Sequence, residues 1–284
     1  MTDQITLLGV KGGPALRQGG AMPTASLLEF AGRRILIDCG IGAARSTVYS
    51  GVSLLNIDAI FITHLHSDHI LELGPLLYTA WTTGLNRPVR VFGPPGIGAY
   101  WENFLKAMRF DHDIRLVDEG RPDIAILVEV TEFGEGPIVD LDGIEVKAMR
   151  VDHPPVTDCF ALSFAAGTKR VVFSADTCYF PPLADFARGA TVLVHEAMLV
   201  AGVDKLVART PGAGRLREHL LASHTTAQDA GRIAAAGMVG QLVLNHLVPA
   251  DDPDFTEADW RREVSRHWNG HVVVGHDGLV VPIE

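Results

Sequence analysis

The sequence predicts an α/β protein in which two packed sheets carry helices on their outer faces, within one domain spanning 1–284. Three observations predict it. Strand-like runs rich in Val, Ile and Phe recur in both halves of the chain. Helical segments lie between those runs rather than at one end. The 284 residues, 47% of them hydrophobic, suffice for a large core. No internal repeat and no linker interrupts the chain.

Residues 4–10 form the first, mostly apolar strand, and Gly12-Gly13-Pro14 and Gly19-Gly20 bracket a flexible loop. Residues 26–30 and 34–38 make a hairpin closed by Ala31-Gly32-Arg33. Residues 57–63 read as a buried strand. Leu73, Leu76, Leu77, Ala80 and Trp81 then recur at helical spacing, with Pro75 tolerated in the first turn. A strand at 89–92 precedes a helix that ends at about Met108. Residues 111–135 carry little periodicity and are a candidate lid, with a strand expected at 124–130.

Asp142-Gly143 turns one strand into the next, 144–151. Further strands are expected at 160–164, 170–174, 191–194 and 242–244. Thr225 and Gln228 fit a capping box that starts a helix running to Gly237. A helix at 256–267 and strands at 271–274 and 279–282 finish the chain.

The net charge of -10 argues against a broad nucleic-acid surface, and the Arg33-Arg34 and Arg261-Arg262 pairs read as solvated surface. Cys39, Cys159 and Cys178 are too few and too scattered for a disulfide framework or a CxxC zinc site, although Cys178 follows closely on Asp176. The N-terminal residues lack a basic region followed by an apolar run, and no apolar stretch reaches the ~20 residues of a membrane span. The expectation is a soluble, cytoplasmic protein with no membrane partner.

The strand at 57–63 delivers His64, His66, Asp68 and His69 into one tight loop. Three imidazoles and a carboxylate so placed are poorly explained by packing, because a buried carboxylate needs a partner. The stretch reads as metal-binding. His153, Asp176 and His246 each sit where another strand ends, a recurring place for functional side chains on a rigid scaffold.

In that order these residues resemble the HxHxDH motif and the later ligands of the metallo-β-lactamase superfamily of hydrolases, over nearly the whole chain. The resemblance implies a four-layer αββα sandwich with two divalent metals at one edge of the sheets. It assigns His64, His66 and His153 to the first metal, Asp68, His69 and His246 to the second, and Asp176 as the bridge. Two such metals share a hydroxide that acts as nucleophile, which Asp68 and Asp176 position. Mixed imidazole and carboxylate donors without thiolate suit zinc first, with manganese or iron compatible.

Ser223-His224-Thr225-Thr226 and His195-Glu196-Ala197 resemble the HST-type and HEA motifs of the ribonuclease Z, cyclic phosphodiesterase and arylsulfatase-like branch. Ser174-Ala175-Asp176-Thr177 is similar to its SGDT segment, with Ala175 in place of glycine. His224 precedes a helix N-terminus, a natural anion site, and would protonate the leaving oxygen as general acid. His195 and Glu196 are read as hydrogen-bonding support for the metal ligands.

The interval between His153 and Asp176 is too short for the Gly- and Lys-rich arm of a tRNA-processing ribonuclease Z, and Lys169 is its only lysine. The closing segment His246-Leu247-Val248-Pro249 also departs from that enzyme's pattern. The sequence therefore predicts a dinuclear metal-dependent hydrolase of a small phosphodiester, sulfate ester or related ester, acting on a small and anionic substrate rather than nucleic acid. The first alternative is a lactone or thioester hydrolase. Behind it stand a ribonuclease Z-type endoribonuclease and a non-catalytic metal-bound module. A homodimer is implied by resemblance only. The loops expected to set specificity are 11–23, 81–90 and 111–121, and His112, His219, His267, His271 and His276 are assigned surface or structural roles.

Overall fold

A computed structural model describes residues 2–284. In chain order the strands are β1 (Gln4–Gly9), β2 (Ala25–Phe30), β3 (Arg33–Ile37), β4 (Ala59–Phe61), β5 (Val89–Gly93), β6 (Val128–Glu132), β7 (Gly136–Asp140), β8 (Glu145–Arg150), β9 (Phe160–Ala166), β10 (Lys169–Phe173), β11 (Val192–Met198), β12 (Gln241–Val248), β13 (His271–Val274) and β14 (Val280–Pro282). The helices are α1 (Ala43–Tyr49), α2 (Ser67–Ile70), α3 (Leu73–Thr82), α4 (Ile97–Asp118), α5 (Ile124–Leu127), α6 (Pro182–Phe186), α7 (Val200–Ala208), α8 (Leu216–Ser223), α9 (Ala227–Gly237) and α10 (Glu257–Val264).

The strands form two mixed sheets, ordered β14-β1-β2-β3-β4-β5-β6 and β13-β12-β11-β10-β9-β8-β7. Each has antiparallel hairpins on one side and parallel strands on the other, the parallel ones being β3 to β6 in the first sheet and β10 to β13 in the second. The parallel strands are connected through helices, and those helices occupy the outer faces. One apolar cluster, including Phe61, Phe160, Phe164 and Leu244, fills the space between the sheets. A second lies outside the first sheet under α1, α3 and α4. This is the αββα arrangement that the sequence predicts. The apolar residues of α3, Leu76, Leu77, Tyr78 and Trp81, are all spent in that second cluster. No described helix is long and apolar enough to cross a membrane.

Several elements differ from expectation for identifiable reasons. The β2–β3 hairpin closes through two residues, Ala31 at φ 45 and Gly32 at φ 82, because two left-handed residues match the twist of the flanking strands. Helix α4 runs on to Asp118, well past Met108. Its last turns carry charged pairs, Arg115 with Asp111 at 2.8 Å and with Glu119 at 2.7 Å. Residues 124–130 divide into the short helix α5 and the start of β6. Helix α9 is capped one residue later than expected: Thr226 accepts from the Asp229 N–H, while Thr225 turns inward and donates to the Thr177 carbonyl.

Candidate active site

The metal-ligand candidates come from strand ends that the two sheets bring to a common edge. His64 and His66 lie in the loop after β4, and Asp68 and His69 lie in the single turn α2. His153 follows β8 and Asp176 follows β10. His246 sits inside β12 rather than beyond its end. It is the extra residue of a bulge, since Glu196 pairs with Asn245 and Ala197 with Leu247. Its φ of 42 is the local cost of that bulge, which turns the side chain toward the cluster.

The structure gathers these side chains into two donor sets that share one carboxylate. His64, His66, His153 and Asp176 form one, and Asp68, His69, Asp176 and His246 form the other, with donor atoms in each set within 4.8 Å of one another. Asp176 Oδ2 lies 3.1 Å from His246 Nε2 and 3.3 Å from His69 Nε2. It lies 3.9 Å from both His64 Nε2 and His153 Nε2. Burial alone would raise the Asp176 carboxyl, but the surrounding imidazoles, His246 and His69 foremost, hold it well below the usual carboxylate range.

Hydrogen bonds on the outer side of the rings fix which nitrogen faces inward. His153 Nδ1 donates to the Ser223 carbonyl at 2.9 Å, so its Nε2 carries the lone pair. That Nε2 lies only 3.2 Å from His66 Nδ1. His69 Nδ1 donates to Asp38 at 2.8 Å. Thr63 donates its hydroxyl hydrogen to Asp38, so its oxygen accepts from His64 Nδ1 at 3.1 Å. The inward Nε2 atoms of His64 and His69 are buried without any hydrogen-bond partner. Unpaired buried nitrogens facing a shared carboxylate are costly unless a cation binds them, so the donors present fit divalent metal ions.

Beside the second donor set lies a buried acid pair. Glu196 accepts from the Thr177 N–H at 2.6 Å and from His224 Nδ1 at 2.9 Å. Burial opposes charge on both groups and raises the Glu196 carboxyl. For His224, however, the attraction of Glu196 outweighs burial and lifts the imidazole to about 9. His224 stacks on His246, with ring centroids 5.4 Å apart. His195 has a different place. As the strand neighbour of Glu196 it projects from the opposite face of β11, where its Nδ1 donates to the Glu196 carbonyl at 2.7 Å. Burial holds it down at about 4, and it joins no donor set.

Above the cluster lies a pocket of about 340 Å³. One wall is the loop from Lys11 to Arg17, as expected of the segment 11–23. The other is the helical pair α7–α8, which presents Leu206, Leu216 and Leu220 and for which the sequence offers no signal. The segments 81–90 and 111–121 do not line it. Trp81 is core, and His112 on α4 is held by Asp123 at 3.0 Å and packs on Trp81, so no lid forms there. His219 on α8 lines the pocket, contrary to its expected surface or structural role. Cys178 is not among the metal donors; burial and the adjacent Asp152 raise its thiol to about 11.

Two supporting residues escaped the sequence reading, Asp38 and Thr63, which together orient one imidazole in each donor set. Their only signal is that both stand at strand ends, Asp38 just before the Cys39-Gly40 turn.

Comparison with known proteins agrees with this fold. The family model described as anti-Pycsar protein Apyc1 matches residues 4–208. A ribonuclease Z of Mycobacterium bovis is 32% identical over 277 residues, which covers 96% of each chain. Among solved structures, the metallo-β-lactamase fold protein YhfI from Bacillus subtilis superposes with a TM-score of 0.70 at 23% identity, covering 98% of both chains. The short form of human tRNase Z superposes at 0.69 with 22% identity, covering 99% of both.

Proposed function

The chain belongs to the metallo-β-lactamase fold hydrolases, in the branch that includes ribonuclease Z, and from that premise we propose that it hydrolyses small phosphodiesters. Residues 1–284 would act as one catalytic domain with two divalent metals, zinc first. His64, His66 and His153 would hold one metal, and Asp68, His69 and His246 the other, with Asp176 common to both. When bound, such metals supply Lewis acidity and a water made acidic enough to act as nucleophile near neutral pH.

The observation that carries the proposal is the His224–Glu196 pair, buried beside the donor sets with His224 lining the pocket. With Nδ1 committed to Glu196, His224 holds its second proton on Nε2, the side left for the pocket. There it donates to the leaving oxygen of an ester. Glu196, anchored by the Thr177 N–H, keeps the ring oriented and charged. Lys11 and Arg17 line the pocket and share the carboxylate of Asp251, at 3.0 and 3.3 Å. These two cations and a protonated His224 favour an anionic ester over a neutral lactone or thioester.

A second reading, cleavage of RNA, is favoured by the likeness to ribonuclease Z. Against it, the interval between His153 and Asp176 is taken up by the tight β9–β10 hairpin, in which Lys169 pairs directly with Ala166 and no arm projects. The pocket volume suits a small molecule.

The test is hydrolysis of a chromogenic panel by metal-loaded protein: a phosphodiester, an aryl sulfate, a lactone, a thioester and a precursor tRNA, each with a chelator control. Chelator-sensitive turnover of the phosphodiester, lost in His224→Ala, supports the proposal. Turnover of the lactone or thioester alone, indifferent to His224, or of the tRNA alone, overturns it.

A further inference from the structure

The helical pair α7–α8 packs on the sheet through a small apolar cluster of its own. Met198, Val203, Leu220 and Val248 are buried in it, whereas Leu206 and Leu216 are only partly covered. Leu206, Leu216, Leu220 and Val248 also line the pocket above the donor sets, so the cluster is open on its pocket side. Other positions of the same helices carry ion pairs, Asp204 with Arg217 at 2.7 Å and Lys205 with Asp254. Both helices are thus amphipathic, and part of their apolar surface faces the site instead of a closed core. Apolar surface gathered at the rim of a polar site marks a place where a ligand is covered.

The lining itself says what chemistry would cover it. Pro14 and Ala15 on the facing loop extend the apolar surface around the three leucines. Among the described residues no Phe, Tyr or Trp lines the pocket, so a flat ring finds no stacking platform on that wall. Branched side chains pack well against a flexible alkyl chain, which gains from dispersion and from leaving water. A polyol arm laid on Leu206 and Leu216 would bury hydroxyls against carbon, which is costly. The polar end of the same ligand is accounted for at the floor, by the donor sets and His224.

Resting on the phosphodiester reading above, we propose that the α7–α8 wall is a subsite for an aliphatic ester arm. The preferred substrate is then a phosphodiester with a short alkyl chain on one ester oxygen, seated on Leu206, Leu216 and Leu220. Specificity is divided between two surfaces: the floor holds the phosphoryl group, and the wall discriminates by the apolar area of the arm. A monoalkyl phosphate carries both recognition elements whichever ester bond breaks, so it serves as the probe.

The experiment measures binding of monoalkyl phosphates, from methyl to hexyl, to the metal-loaded chain by calorimetry. The same compounds are then tested as inhibitors of bis(4-nitrophenyl) phosphate hydrolysis. Affinity should rise roughly fourfold for each methylene that reaches the wall. Propyl phosphate should bind at least about tenfold more tightly than glycerol 3-phosphate, whose three-carbon arm carries hydroxyls. Replacing both Leu206→Ser and Leu216→Ser should cut the gain to within about 1.5-fold per methylene, while Leu216→Met, which keeps the apolar volume, should retain the wild-type slope. The quantity read is the ratio of hexyl to methyl phosphate affinity, so a variant that merely damages the site weakens both and leaves the ratio where it was. The wild-type slope decides the matter even if the double variant does not fold. A flat series in the wild type, equal binding of propyl phosphate and glycerol 3-phosphate, or an unaltered ratio in the folded double variant overturns the inference. If bis(4-nitrophenyl) phosphate is still hydrolysed in that case, the phosphodiester reading stands. Failure on every phosphodiester overturns both.

Discussion

His69 donates its Nδ1 hydrogen to Asp38 at 2.8 Å, and Asp38 accepts it from a left-handed backbone at φ 61. The same carboxylate takes the Thr63 N–H at 2.8 Å and the Thr63 hydroxyl, whose oxygen in turn receives His64 Nδ1. One buried acid therefore sets the tautomer of an imidazole in each donor set. Such supporting groups raise ligand basicity and hold ring orientation, and their removal typically costs 10–100-fold in metal affinity. Asp38→Ala should lower affinity for both metals by roughly that factor. Metal retained against increasing chelator concentration, measured beside wild type, checks this; wild-type retention would remove Asp38 from the account.

The alkaline limb of the pH–rate profile should belong to His224. An acid is active while protonated, so turnover is lost as pH rises through its pKa. Glu196 lifts His224 to about 9, and bound cations at Asp176 pull the other way, which places the limb at or below that value. In Glu196→Gln the attraction is gone while burial remains. The limb should move down toward or below the ordinary imidazole value of about 6.5. Profiles of kcat on a phosphodiester check the shift, and coincident limbs in the two proteins would assign the ionisation elsewhere.

Much of the site was legible because its residues come in a dense, ordered run: three imidazoles and a carboxylate within six positions have few other uses. The isolated candidates His153, Asp176 and His246 became readable only in company with that run. Asp38 and Thr63 were not legible, because an acid and a hydroxyl at strand ends look like turn residues until the sheets bring them beneath the cluster. Residues 111–121 were misjudged for a different reason. Phe110 is 83% and Val117 88% exposed, so apolar positions in the second half of α4 fall on the solvent side and blur the stripe carried by Phe104, Leu105, Met108 and Leu116. The α7–α8 wall was not legible because its core is small. Val203 and Leu220 pack only with Met198, Val248 and a few partly buried neighbours.

Ala175 occupies a position that suits glycine. It precedes Asp176 at φ 56, a left-handed conformation that costs an L-residue roughly 1–2 kcal/mol. Glycine would relieve that cost and add about 0.5–1 kcal/mol of chain entropy to the unfolded state. Ala175→Gly should therefore stabilise the protein by a net of roughly 0.5–1 kcal/mol. Reversible denaturant unfolding of the apo proteins tests the sign. A lower midpoint for the variant would mean that the methyl group contributes more packing than the backbone loses in strain.

Gly12 is required by the second donor set. A Cβ at this position would stand 2.8 Å from His246 Cε1 and 2.5 Å from Val248 Cγ2. The backbone cannot yield easily, because the Gly12 N–H is bonded to the Leu247 carbonyl at 3.1 Å and the Gly13 N–H to Asp68 at 2.8 Å. The substitution Gly12→Ala should therefore displace His246 and disturb Asp68, two donors of one set, while His64, His66 and His153 lie outside the clash. Metal bound per chain should fall by about half, with the remaining ion held as in wild type and turnover down by about 10-fold or more. Elemental analysis of folded protein distinguishes this from general damage. Loss of both metals together would show that the two sets do not bind independently, and full occupancy would show that β12 can shift to admit the methyl group.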